Sequence, residues 1–167
     1  MNRRNFIHYS AMGIAALSLW PYRLSAQTTN PTATPAGIMK IIKKDEEWKK
    51  ELDAKAYHVL RDQGTEAPFS SPLLKEHREG TFICKACELP LFSSATKYDS
   101  GTGWPSFFKA IEKNIETSMD YKLIAPRTEY HCARCDGHQG HVFDDGPQPT
   151  GLRYCNNGVA LKFIVKG

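Results

Sequence analysis

Cys84-Lys85-Ala86-Cys87 and Cys132-Ala133-Arg134-Cys135 are two C-x-x-C pairs separated by 44 residues, and they restrict the fold more than any other feature of the chain. Each pair can present two thiolates from one tight turn, and together they can enclose one tetrahedral cation. Four sulfur ligands favour zinc, held as a closed structural pin. The gap is longer than in a compact zinc finger, so the pin would join distant parts of one domain. Two other chemistries use the same spacing: redox-active C-x-x-C disulfides, and structural disulfides suited to an oxidising compartment. A strand-like run precedes each pair, Thr81-Phe82-Ile83 and Glu129-Tyr130-His131. That repetition argues for two like knuckles forming halves of one site. His131 abuts Cys132 as a further candidate, but four thiolates already fill the shell.

The body around these knuckles reads as one domain over 38–167, mainly β. Trp48, Leu52, Ala56 and Val59/Leu60 recur at helical spacing, with Asp45-Glu46-Glu47 complementing the helix dipole. This predicts a short N-terminal helix from Asp45 to Arg61, ended by Gly64. From Phe69 onward, short apolar runs broken by Gly, Pro, Asn and Asp predict antiparallel strands and turns, with room for one further helical turn at Lys109–Asn114. Hydrophobic residues make up 41% and charged residues 24%, an ordinary globular mixture that excludes a collagen-like or mainly disordered chain.

The N-terminus reads as an address. Residues 1–26 carry Arg3-Arg4, an apolar run from Ala11 to Trp20, and Ala26, a small residue suited to precede a cleavage site. As a helix the run would extend about 15 Å against the roughly 30 Å of a bilayer core, too short for stable membrane insertion. Arg3-Arg4-Asn5-Phe6-Ile7 resembles the bacterial twin-arginine export signal, although Leu24 fits the small-residue cleavage pattern poorly and the general secretory route stays open. Export to the periplasm is the expectation, with residues 27–37, rich in Thr, Pro and Ala, as a flexible spacer. The formal charge of +4 resides largely in Arg3, Arg4 and Arg23; residues 27–167 carry 19 basic and 18 acidic side chains. Nothing there makes the basic face that nucleic acid requires.

The fifth cysteine stands apart in Gly151-Leu152-Arg153-Tyr154-Cys155-Asn156-Asn157. In an extended stretch, period two places Arg153, Cys155 and Asn157 on one face. A neighbouring guanidinium favours thiolate, the nucleophilic form; a small buried hydrophobe is the plainer alternative. Upstream, His138-Gln139-Gly140-His141-Val142-Phe143-Asp144-Asp145 offers two imidazoles and two carboxylates, with Phe143 and Asp145 on the face of His141 under strict alternation. They read as general-acid groups or as a solvated turn. Trp104, in a turn bounded by Gly103 and Pro105, is either core or the wall of a pocket for an apolar group.

Gly64-Thr65-Glu66, Pro68-Phe69-Ser70, both C-x-x-C pairs, Lys97 to Phe107, His138-x-Gly140-His141-Val142-Phe143-x-Asp145-Gly146-Pro147 and Gly151 to Asn157 together resemble the methionine-R-sulfoxide reductase B family, in order over about residues 40 to 165. The resemblance implies two packed antiparallel sheets, one structural zinc on Cys84, Cys87, Cys132 and Cys135, and reduction of the R epimer of methionine sulfoxide, free or in oxidised proteins, as a repair activity under oxidative stress. It makes Cys155 the nucleophile and Trp104 the contact for the substrate methyl. Phe143 joins that substrate contact. His138, His141 and Asp145 become the polar side of the pocket, and Arg153 and Asn157 the support of the nucleophile. Thr102 stands where many members carry a resolving cysteine, so a thioredoxin-like or other external thiol is the implied reductant of a monomeric enzyme. Glu88, where many relatives have Gly, and Ser71-Pro72-Leu73-Leu74 depart from the family pattern in turns. A non-catalytic zinc-pinned β binding module is the competing reading; it expects Cys155 to be replaceable without loss. A thiol-disulfide oxidoreductase working through the C-x-x-C pairs is a further one, and it expects no zinc.

Overall fold

The structure, a computed structural model, describes residues 37–167. The export segment and residues 27–36 of the spacer lie outside the described residues. The single helix expected over Asp45–Arg61 is in fact two, α1 (Asp45–Glu51) and α2 (Ala54–Leu60). The break has a local cause. Asp53 is extended and its side chain accepts a hydrogen bond from the Ala56 N–H, so it caps a new helix where the helical pattern alone would continue the old one. The apolar spacing survives the break: Trp48, Leu52, Ala56, Val59 and Leu60 are all buried. Lys109–Asn114 forms a turn with no helix, and Lys113 there takes a positive φ.

Among the described residues, nine strands make two antiparallel sheets. The smaller has the order β2 (Pro90–Ser93), β1 (Gly80–Cys84), β9 (Leu161–Val165). The larger runs β3 (Lys97–Tyr98), β4 (Ser106–Phe107), β8 (Arg153–Asn156), β7 (His138–Phe143), β6 (Arg127–Cys132), β5 (Ile115–Asp120). Aromatic rings join them. Phe92 of the small sheet stacks on Phe107 of the large one at 4.2 Å and meets Tyr130 edge to face at 6.0 Å, and Phe82 meets Phe107 at 4.9 Å; within the large sheet Tyr130 and Tyr154 meet edge to face at 5.4 Å. Such pairs contribute about 0.5–1.5 kcal/mol each beyond the area they bury.

Register divides the large sheet into two faces. Tyr130, Tyr154 and Phe107 turn inward to the rings just named. Cys155 lies opposite His141 and Ser106, Phe143 opposite Arg153, and His141 opposite Glu129, so these residues share the other face. Strict alternation would put His138 and His141 on different faces. A bulge prevents it: the register shifts between Tyr130 and His131, pairing His131 with His138 and Tyr130 with Gly140, which leaves Gln139 as the extra residue. Both histidines thereby reach the same face, their rings 5.5 Å apart. Among the described residues no helix is long and apolar enough to cross a membrane.

Candidate active site

The four paired cysteines come together. Their sulfurs lie within 4.8 Å of one another, Cys84 3.7 Å from Cys135 and Cys87 3.4 Å from Cys132. The knuckles repeat each other bond for bond: Glu88 N–H donates to Cys84 O and Asp136 N–H to Cys132 O, while Cys84 N–H reaches Leu89 O and Cys132 N–H reaches Gly137 O. Glu88 and Asp136 both take positive φ, and Glu88 does so without the glycine expected there. Hydrogen bonding among the four sulfurs pushes the Cys84 and Cys135 thiols up and holds Cys87 and Cys132 down; four thiolates this close would repel one another, so ionising all four requires a cation among them. The buried Gln139 amide adds an N–H to Cys84 sulfur at 3.5 Å. This donor set fits a tetrahedral metal with sulfur preference, and zinc is the ion that chemistry favours. His131 is outside the set, its Nε2 facing Glu116 at 3.6 Å.

Cys155 lies on the opposite side of β8 from the core, in a cleft of about 270 Å³. Thr102, Trp104, His141, Phe143, Arg153 and Asn157 line it with Cys155. Burial pushes the Cys155 thiol up, and Arg153 together with hydrogen bonding from Thr102 pulls it only part of the way back. The cation expected beside the thiol is present, but its charge is shared: Arg153 Nε and Nη2 each reach the Asp145 carboxylate at 2.8 Å. Asp145 itself is exposed and outside the cleft, acting on the site through that guanidinium, which also stacks over Phe143 at 4.3 Å.

The histidines differ in setting. His138 is 2% exposed, below the cleft, with Nδ1 2.7 Å from Glu129. Burial pushes His138 down in spite of that carboxylate, so it is neutral near pH 7 and gives its Nδ1 proton to the bond. Burial raises Glu129, and the bonds from His138 and Ser118 more than offset it. His141 lines the cleft. Its Nε2 is 2.8 Å from Asp120, whose carboxyl is held well below the usual range by the Lys122 N–H, by His141 and by Arg127. Nδ1 is the nitrogen left to serve the cleft.

A turn sets Trp104. Asp99 accepts from Gly101 N–H at 2.9 Å, Gly101 and Gly103 take positive φ, and a Cβ on Gly103 would strike Pro68 and Phe69. The indole N–H donates to Glu66 O at 3.1 Å, and Asn157 Oδ1 accepts from Glu66 N–H at 3.0 Å. The main chain of Glu66 thus holds two walls of the cleft. Asp120, Arg127, Glu129, Thr65 and Glu66 belong to this network although sequence reasoning assigned none of them a role. Glu129, an acid inside a strand beside a buried Tyr, was the one legible signal.

Residues 52–165 match the SelR domain. The peptide methionine sulfoxide reductase MsrB of Leptospira interrogans is 50% identical over 125 residues, covering 74% of this chain and 95% of the relative. The protein of that name from Bradyrhizobium diazoefficiens is 51% identical over 128 residues, 76% and 92% of the two chains, and that from Pseudomonas putida 54% identical over 129 residues, 75% and 96%. With a domain match over most of its length and identity near one half across almost the whole of these relatives, the chain belongs to the SelR-domain family of methionine-R-sulfoxide reductases B.

Proposed function

We propose that this protein reduces the R epimer of methionine sulfoxide to methionine, with Cys155 as nucleophile. The observation that carries the reading is the cross-strand placement of Cys155 opposite His141 within a small cleft walled by Trp104. The Cys155 thiol is largely protonated at rest, and His141 is the base positioned to take its proton, with the ionised Asp120 stabilising the imidazolium. The thiolate attacks the sulfoxide sulfur and forms an S–S bond to it while the imidazolium protonates the sulfoxide oxygen; the hydroxyl then passes to the Cys155 sulfur as that S–S bond breaks, which releases methionine and leaves Cys155 as sulfenic acid. The cysteine sulfur loses two electrons and the methionine sulfur gains them. An external thiol, thioredoxin-like or small, then displaces water from the sulfenic acid, and a second thiol releases Cys155 from the mixed disulfide.

Trp104 and Phe143 would receive the apolar end of the substrate, and Asn157 and Arg153 orient the nucleophile's strand. Zinc on Cys84, Cys87, Cys132 and Cys135 would serve the fold and take no part in the chemistry. Turnover of separate R and S sulfoxides with a dithiol tests the assignment: the R epimer alone should react, and Cys155→Ser should abolish it. Equal turnover of both epimers, or full activity in Cys155→Ser, overturns it.

Export to the periplasm rests on Arg3-Arg4 and the following apolar run. Replacing both arginines with lysine should strand precursor in the cytosol; unchanged export points to the general secretory route.

A further inference from the structure

A second groove, of about 590 Å³, lies across the 64–73 loop from the catalytic cleft. Thr65 lines both. Glu66 also faces both ways, its main chain bonding Trp104 and Asn157 on one side while its carboxylate, on the other, accepts from the N–H groups of Gly158 and Val159. The groove floor is apolar, formed by Val59, Leu73, Val159 and Leu161, and Lys55 and Lys85 stand at its rim. Lys85 is paired with Asp53 at 2.6 Å; Lys55 has no ion-pair partner among the described residues. The one carboxylate lining the groove, that of Glu66, is already engaged by backbone donors.

The catalytic cleft holds little more than one side chain. A polypeptide presenting an oxidised methionine must therefore leave it over a rim, and the 64–73 loop is a rim with binding features on its far side. On that loop Phe69 is 72% exposed, held by its N–H to Gly103 O at 2.7 Å beside Trp104, and it adjoins Ser70 of the groove. A large apolar side chain left in water between two depressions suits a chain that crosses it.

We propose that this groove is a subsite for the part of a polypeptide substrate next to the oxidised methionine, and that it selects an apolar side chain followed by a carboxylate. The inference rests on the reading of the Cys155 cleft as the methionine sulfoxide site. The apolar residue would cover Val59 and Leu73, and the carboxylate would meet Lys55. Because Glu66 joins the two depressions, occupation of the groove would also brace Trp104 and Asn157.

The test uses alanine-based pentapeptides with a central R-sulfoxide and Leu-Asp, Leu-Lys or Ala-Ala on either side, beside the blocked single amino acid. In wild-type protein, Leu-Asp on one side should raise kcat/KM by about 5- to 10-fold over Ala-Ala, part of the value of burying one leucine. Lys55→Glu, a change at the groove rim, should reverse the order of the Asp and Lys peptides and leave the blocked amino acid unaffected. Peptides reduced no better than the blocked amino acid, or an Asp preference that survives Lys55→Glu, would overturn the subsite and leave the catalytic reading intact. If neither peptide nor blocked amino acid is reduced, both readings fall.

Discussion

Asp120 Oδ2 stands 2.8 Å from His141 Nε2, tying the outermost strand of the large sheet to the strand that faces Cys155. Arg127 holds the same carboxylate at 2.6 Å, so the acid is itself fixed in place. Asp120→Asn keeps the shape and removes the charge that would stabilise an imidazolium. Its kcat should fall by about 10- to 100-fold with KM little changed, while His141→Ala should lose roughly 100- to 10,000-fold. Steady-state kinetics on an R-sulfoxide checks both; an Asp120→Asn enzyme with wild-type kcat would detach this carboxylate from the chemistry.

The resting thiol should be a poor nucleophile toward reagents that His141 does not assist. Burial raises the Cys155 pKa above that of an ordinary cysteine, and Arg153 opposes the shift. Alkylation by iodoacetamide should therefore still be climbing at pH values where a free thiol has reached its plateau. Arg153→Ala should displace the curve further to alkaline pH. A midpoint below that of free cysteine would contradict the burial argument.

Metal analysis should find one zinc per chain. Structural zinc contributes on the order of 10 kcal/mol of folding free energy, so Cys135→Ser or strong chelation should unfold the β body as a whole. Circular dichroism during chelation would follow it; a folded, metal-free protein with disulfides at those positions would refute the pin.

Regeneration should leave a visible intermediate. With excess R-sulfoxide and no reductant, Cys155 should be trapped by a sulfenate reagent, and mass spectrometry should find no intrachain disulfide. Thr102 lines the cleft together with Cys155. Thr102→Cys should accordingly yield a 102–155 disulfide. A wild-type disulfide between Cys155 and any of the paired cysteines would defeat both direct reduction and the metal assignment.

What could be read from the chain was what depends on local spacing. The four-sulfur cluster followed from two like knuckles, and the shared face of Arg153 and Cys155 from period two. The break at Asp53 was hidden because its cap competes with an apolar pattern that continues through it. The joint placement of His138 and His141 depends on one extra residue at Gln139, which alternation cannot foresee. Asp120 and Glu129 reach the histidines only through the pairing of β5, β6 and β7, a long-range register that no local pattern encodes. Asp145 lies beyond the end of β7, where strand alternation no longer applies, and it meets the site through its bidentate bond to Arg153.

The cysteine knuckles belong to different sheets: Cys84 ends β1, and Cys132 ends β6. A clasp between sheets in an oxidising compartment is ordinarily a disulfide, yet here that choice would set architecture and catalysis in conflict. Thiols that restore Cys155 after each turnover would attack such a clasp, and the oxidants that create the substrate would rebuild it in uncontrolled partners. Zinc has no redox chemistry of its own. Clasping the sheets with it would leave Cys155 as the one cysteine free to change oxidation state, so each cycle could pass through the protein without loosening the frame that makes the cycle possible.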